Sequence, residues 1–202
     1  CGDGTLWTRN INQLPTDINI ILSDLSEGMI RDTRRNIGSG DSRFSFEQFD
    51  CQKIPHPAET FDIVITRLAF HHFTNCEEPF NEMKRVLKKG GKLVIWDMVA
   101  AEDDLREIND KIEKMRDISH NRILSQDEFL NLYGKDFEMK LVERKEIPVN
   151  LTNWMELTDT PSDVRSEIVE LMNKDLKKEM QTGFSPYLKD EQIYFNHRWL
   201  LL

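Results

Sequence analysis

The chain has 202 residues, of which 39% are hydrophobic and 31% are charged, a composition typical of a soluble globular domain with a real core. Its formal net charge of −9 argues against nucleic acid as a partner, because an acidic surface repels phosphate backbones. No apolar run approaches the roughly 20 residues of a membrane span. Three cysteines without a repeated spacing predict neither a disulfide framework nor a zinc site, so we expect a cytoplasmic protein.

Strand-like and helix-like segments alternate through the first half of the chain. Apolar runs predict strands over 18–24, 43–50, 61–68 and 92–99, and amphipathic patterns predict helices over 26–36 and 78–87. Short-range alternation of this kind predicts an α/β fold, with a doubly wound, mostly parallel sheet and helices on both faces. Ligands of such sheets bind at the carboxyl ends of the strands, so the polar residues that end them are site candidates.

The second half is richer in helices. The pattern predicts a helix over 103–116 and a second helix that starts at the S-x-x-E capping box of Ser125 and Glu128. It predicts a third helix over 161–180, with Ser162 as a candidate cap. Strand character returns over 138–150 and 192–202. No internal repeat or low-complexity linker interrupts the chain, so we predict one domain over 1–202.

Two features of the first half favour a nucleoside site. Gly2 and Gly4 form a G-x-G turn that allows a ligand to approach the backbone, although Trp7 stands where a dinucleotide fingerprint needs its third glycine. Asp24 follows Gly4 by twenty residues, where a carboxylate can accept hydrogen bonds from ribose hydroxyls. Asp24 could equally cap the following helix, and Asp50 could simply form a turn.

The ordered segments "CGDGTLW", "ILSDLSEGMI", "FDCQKIPHPAETFDIVITRLAFHHF" and "EMKRVLKKGGKLVIWDMV" resemble the class I S-adenosylmethionine-dependent methyltransferases. They are most similar to the type 11 group, which includes the ubiquinone/menaquinone C-methyltransferases. The resemblance implies a Rossmann-like fold with a C-terminal antiparallel hairpin, a cofactor-binding half over about 1–101 and a substrate-covering half over about 102–202. In the family a first strand leads into the glycine turn, so we expect that strand to be truncated or missing here.

The resemblance also implies a set of site residues. The cofactor would be S-adenosyl-L-methionine, leaving S-adenosyl-L-homocysteine as product, and the implied contacts are Cys1, Gly2, Gly4, Asp24, Leu25, Met29, Asp50, Cys51, Arg67 and Leu68. Asp24 would hold the ribose, Asp50 the adenine amino group, and Arg67 and Leu68 the methionine portion. The acceptor would be a small molecule such as a quinone-like compound, and the protein a monomer or a homodimer.

Candidates for catalysis and acceptor binding are less sharply defined. His71, His72 and His120 could act as a general base if the acceptor must lose a proton, or His71 could instead only pack or cap at a strand–helix junction. Arg116, His120 and Arg122 could bind an anionic or oxygen-bearing substrate, or could instead anchor a loop through salt bridges. The spacing of histidine, cysteine and acidic residues matches no familiar metal site, so we expect no metal.

Two alternatives to methyl transfer stay open at this level. A nicotinamide-dependent oxidoreductase could use a related sheet, although Trp7 counts against it. A non-catalytic S-adenosylmethionine-binding protein could have kept the fold without turnover.

Overall fold

A computed structural model of the chain describes residues 1–38, 40–100 and 105–202. These residues form two compact units. The first consists of Cys1–Val64 and Glu77–Leu93, and the second of Ile65–Cys76 and Val94–Leu202. The first two residues of the helix predicted over 103–116 lie outside the described residues.

The first unit contains a parallel strand pair and three helices. In chain order it comprises α1 (Thr5–Asn10), a 3-10 turn (Ile11–Gln13), β1 (Ile20–Asp24), α2 (Glu27–Ile37), β2 (Phe44–Gln48) and α3 (Glu77–Val86). β1 and β2 pair in parallel from Ile20 opposite Phe44 to Asp24 opposite Gln48, so that both strands end at the same edge. The predicted strands and helices of this unit are therefore confirmed to within a few residues.

Helix α2 illustrates how the sequence sets its bounds. The Ser26 hydroxyl accepts a hydrogen bond from the Met29 amide and caps the amino end, while Gly38, at φ 86°, ends the helix. Its inner face buries Ile30 and Thr33. The cap places the carboxyl end of β1 next to the first turn of α2.

Strands β3 (Phe61–Arg67) and β4 (Leu87–Met98) each contribute residues to both units. Hydrogen bonds beside this pair run from Thr60 N to Val86 O and from Leu68 N to Trp96 O, both at 2.8 Å. The donor and acceptor positions advance together along the chain, as in parallel pairing.

The second unit adds helices and antiparallel strands. It comprises a 3-10 turn (Phe70–His72), α4 (Arg106–Arg116), α5 (Gln126–Tyr133), β5 (Glu143–Asn150), α6 (Leu151–Glu156), α7 (Ser162–Leu176), β6 (Tyr187–Lys189) and β7 (Gln192–Leu201). The strand order is β3-β4-β7-β5, with β6 also paired to β7. All three described partners of β7, namely β4, β5 and β6, run antiparallel to it.

The core of the second unit is aromatic and aliphatic. Its buried members come from α4, α6, α7 and β7 and the segment before β6, and they are Ile112, Leu151, Trp154, Met155, Ile168, Met172, Phe184 and Phe195. Each fully buried side chain of this size contributes about 1.5–3 kcal/mol of transfer free energy.

Three details of the second half differ from the prediction. Ser162 does not cap α7 but begins it, because Pro161 occupies the N-cap position. The same helix ends at Leu176, where Lys178 takes a left-handed φ of 62°. Of the strand predicted over 138–150, only Glu143–Asn150 forms. The capping box of Ser125 and Glu128 is confirmed.

Candidate functional site

The carboxylate of Asp24 ends β1 and holds the glycine turn. Its Oδ2 atom accepts hydrogen bonds from the Gly2 amide at 2.9 Å and the Cys1 backbone nitrogen at 3.0 Å, and Oδ1 accepts one from the Ser26 amide at 3.0 Å. The sequence prediction that Gly2 and Asp24 lie together is therefore met by direct contact.

The two glycines of the turn differ in what surrounds them. A Cβ at Gly4, where φ is 80°, would lie 2.9 Å from Thr33 Cγ2, so close packing of α1 on α2 requires a glycine there. Gly2, at φ 60°, has no atom within 4 Å of the position of an added Cβ. Thr33 Oγ1 donates to Gly2 O at 2.6 Å and fixes the turn. Gly2 is thus held from one side and accessible from the other, whereas Gly4 has a packing role.

Two apolar side chains flank Asp24 and are unusually exposed. Leu25 is 67% exposed and Met29 is 42% exposed. Exposed apolar side chains are common singly, but here the pair adjoins a held carboxylate at a strand end. The surroundings combine an acceptor for hydroxyl groups with apolar surface, as a nucleoside needs.

The segment after β2 lies near the same carboxylate. Asp50 Oδ1 accepts from the Gln52 amide at 2.9 Å, which is the turn-forming contact that the sequence allowed. Burial, with the charges of Asp50 and Asp24, raises the pKa of the Cys51 thiol to about 11. Cys51 is therefore a protonated, half-buried thiol.

In the second unit, Arg67 is the last residue of β3 and Leu68 follows it. The Arg67 guanidinium lies over the rings of Trp96 and Trp199, 5.0 and 5.2 Å from their centroids. Leu68 has a left-handed φ of 50°, which is rare for a side chain of this kind. Backbone strain of this type often marks a functional site.

The 3-10 turn after β3 carries His71, whose imidazole is tied to Asp97 near the end of β4. The His71 Nδ1 and Asp97 Oδ1 atoms are 2.7 Å apart, and both side chains are buried. The His120 ring stacks on His71 with centroids 5.6 Å apart, and the His72 ring lies 4.1 Å away. Burial and the neighbouring His71 charge lower the pKa of His72.

The predicted substrate-binding residues all have internal partners. His120 is buried, with Nε2 hydrogen-bonded to Asp110 at 2.8 Å. Arg116 Nε donates to the Trp154 carbonyl at 3.0 Å, and its guanidinium carbon lies 4.8 Å from the centroid of that ring. Arg122 pairs with Glu128 at 2.6 Å. These contacts are those of a loop anchor, and a role in acceptor binding stays a prediction.

One buried charge pair had no signal in the sequence. Glu113, 1% exposed on α4, accepts from His197 Nε2 on β7 at 3.2 Å and lies 3.7 Å from Arg116 Nη1. Burial raises the pKa of Glu113, but His197, Arg116 and His120 lower it below its usual value. In the sequence, Glu113 is one of several acidic residues of a charged amphipathic helix, and nothing marks it as the buried one.

Over the described ranges, 1–38, 40–100 and 105–202, no three histidine, cysteine or acidic side chains are grouped so that they could hold a metal ion. Within the same ranges, no helix has the length and apolar character needed to cross a membrane.

Comparison with known proteins identifies the class. A family model described as a methyltransferase domain matches residues 1–158, and the chain belongs to this family. The uncharacterized methyltransferase YcgJ of Bacillus subtilis (strain 168) is 29% identical over 136 residues, covering 66% of this chain and 54% of YcgJ. The ubiquinone/menaquinone biosynthesis C-methyltransferase UbiE of Geobacter sulfurreducens is 32% identical over 96 residues, covering 46% of this chain and 38% of UbiE.

A solved structure of a candidate methyltransferase from Bacillus halodurans C-125 has a TM-score of 0.84 and 25% identity, covering 99% of this chain and 87% of that one. These similarities confirm the predicted family and fold class. The chain spans about half the length of the curated relatives it matches, or less.

Proposed function

We propose that this domain binds S-adenosyl-L-methionine and transfers its methyl group to a small-molecule acceptor by in-line displacement, with S-adenosyl-L-homocysteine as product. The family and the resemblance of the strand-end motifs to class I methyltransferases support this proposal. The sulfonium is already an activated leaving group, so the protein mainly supplies binding and orientation.

The observation that carries the proposal is the contact between Gly2 N and Asp24 Oδ2 at 2.9 Å. It brings the glycine turn and the acidic strand end into one place, where a nucleoside can meet both. A carboxylate offers about four acceptor positions in all, and two bonds already reach Oδ2. Oδ1 accepts only the Ser26 amide among the described residues, so it keeps one acceptor position for a ribose hydroxyl.

Leu25 and Met29 would then cover the apolar faces of the adenosine, and Asp50 and Cys51 would meet the adenine edge. Among described residues, only the Gln52 amide is hydrogen-bonded to the Asp50 carboxylate, which leaves it acceptor capacity for an amino group. Arg67 and Leu68 carry the family's methionine contacts by resemblance, and the strained φ of Leu68 fits such a role.

The acceptor is proposed as a small molecule, with a quinone-like compound as the first choice. The similarity to UbiE, a C-methyltransferase of ubiquinone and menaquinone biosynthesis, supports that choice. None of the similar proteins named above is an oxidoreductase, so the nicotinamide alternative has no support beyond the sheet itself.

Two titrations test the proposal. In calorimetry, S-adenosylhomocysteine should bind saturably, while NADH should not bind. Incubation with methyl-labelled donor and a panel of quinols and other small acceptors should then yield a labelled product. Saturable binding of NADH alone would reject the proposal, and donor binding without turnover on any acceptor would favour the non-catalytic alternative.

A further inference from the structure

We propose that His71 is the general base of the transfer and that Asp97 positions it, so that the acceptor is a molecule whose methylated atom must lose a proton, such as a hydroxyl group or an acidic C–H. This inference rests on the proposed function and specifies its acceptor class.

Asp97 is held more firmly than an ordinary surface carboxylate. It is 1% exposed, and Oδ2 accepts hydrogen bonds from the Ala69 and Phe70 amides at 2.7 and 2.8 Å, while Oδ1 accepts one from the Met98 amide at 2.8 Å. The fourth contact is His71 Nδ1 at 2.7 Å. Three amide donors fix the orientation of the carboxylate, so it is a fixed acceptor for the imidazole.

The pairing decides which nitrogen of His71 carries the proton. Because an ionised carboxylate only accepts hydrogen bonds, Nδ1 must donate, and Nε2 of the neutral ring then has a free lone pair. No residue in the described part of the chain is hydrogen-bonded to Nε2. The His71 backbone is also fixed, since its carbonyl accepts from the Asn121 and Arg122 amides at 2.8 and 3.1 Å.

The two neighbouring imidazoles are engaged differently. His120 directs Nε2 to Asp110, and His72 directs Nδ1 to the Ser119 carbonyl and hydroxyl, each at 3.1 Å. Among the described residues, the titratable side chains that a hydrogen bond or ring contact joins to the His71 imidazole are Asp97, His72 and His120. His71 is the imidazole of this group that combines a fully buried carboxylate partner with an open Nε2.

In the proposed step, a lone pair or developing carbanion of the acceptor forms a bond to the methyl carbon. The carbon–sulfur bond breaks, and its electron pair goes to sulfur to give the neutral thioether product. The acceptor's proton passes to His71 Nε2, and the resulting imidazolium is stabilised by the Asp97 carboxylate before the proton leaves to solvent. A tertiary amine or a thioether has no such proton and would gain nothing from this pair.

The test compares two kinds of acceptor in the wild type and two variants. Probes with a removable proton are catechol and 1,4-naphthohydroquinone, and the proton-free probes are dimethyl sulfide and pyridine, each with labelled donor. We expect label only in the first group. We expect His71→Gln to lower kcat about 100-fold or more, as loss of a general base does, with S-adenosylhomocysteine affinity within about twofold. His56→Gln, which removes an imidazole paired with Glu47 in the first unit, is the matched control and should keep full rate.

Asp97→Asn supplies a readout that a merely structural role would not move. Imidazole ¹⁵N spectra of the wild type should show His71 in the Nδ1–H form, and the variant should change that tautomer and shift the acid limb of the pH–rate profile. If Asp97→Asn fails to fold, the wild-type spectrum and the pH profile of His71→Gln, which should lose the acid limb, decide the question instead.

Three results would overturn the inference: transfer to proton-free probes as fast as to hydroxyl probes, an unchanged rate or acid limb in His71→Gln, or no transfer to hydroxyl probes by protein that binds donor. Loss of S-adenosylhomocysteine binding in the wild type is a different outcome, because it rejects the proposed function itself.

Discussion

Replacing Asp24 by alanine should weaken S-adenosylhomocysteine binding by about ten- to a hundredfold. Oδ1 has one acceptor position left for a ribose hydroxyl, and a hydrogen bond to a charged group contributes about 1.5–3 kcal/mol, where 1.4 kcal/mol is tenfold in affinity. The variant also removes the acceptor of the Gly2 amide, so the turn that faces the ligand loosens as well. Both effects act on binding and leave the core intact.

Calorimetric titration of the folded variant measures the change directly, with circular dichroism to verify the fold. Asp62→Ala is the matched control, because Asp62 lies in the same unit, is 82% exposed and pairs only with Lys88 among the described residues. The control should bind as the wild type does. If folded Asp24→Ala also bound with wild-type affinity, Asp24 would not contact the ribose, and the assignment of the strand end to the nucleoside would fail.

Three further predictions concern other parts of the molecule. The folded-state pKa of Glu113 is depressed from 4.5, so its stabilisation is present above that value and is lost as pH falls through the depressed pKa. Glu113→Gln should therefore lower the unfolding free energy at pH 7 by about 3–5 kcal/mol and flatten the acid limb of Tm against pH, and an unchanged Tm would contradict the buried pairing with His197. With a pKa of about 11, Cys51 should react with iodoacetamide at pH 8 on the order of a hundredfold more slowly than an ordinary thiol, and peptide mapping that finds rapid alkylation would contradict its burial. His120→Ala should lower turnover and, by removing one of the two hydrogen bonds to Asp110 Oδ1, lower Tm, without changing donor affinity; full activity would assign the residue to structure alone.

The strands were predictable because they depend on local patterns. Runs of apolar residues between glycine and proline turns give strands of five to seven residues such as β1 and β3. We expected Gly2 and Asp24 to lie together because the resemblance places both at one cofactor, and the structure joins Gly2 N to Asp24 Oδ2. The sequence does not predict that Gly2 and Gly4 have different roles. Only the position of Thr33 shows that Gly4 is required for packing and that Gly2 is open.

Contacts between distant segments were beyond the sequence for a physical reason. Arg116 could have faced a substrate or the core, and the choice depends on where Trp154, 38 positions away, places its carbonyl and ring. Similarly, Ser162 looked like a cap because serine is a good one, but Pro161, with its fixed φ and missing N–H, occupies that position. Local propensity allows more than one arrangement of these residues, and tertiary packing determines which one forms.

Within its described residues, the second unit contains three imidazole–carboxylate pairs, and their differences bear on function. His197 pairs with Glu113 and so joins β7 to helix α4. His120 pairs with Asp110 and so joins the loop before α5 to the same helix. The His71 pair also joins two segments, but Asp97 already accepts hydrogen bonds from the Ala69 and Phe70 amides and would hold the turn without the imidazole. A histidine used only as a tie would therefore be redundant at position 71. His71 has an open Nε2 atom and a fixed carboxylate at Nδ1, and this is the arrangement that proton transfer requires.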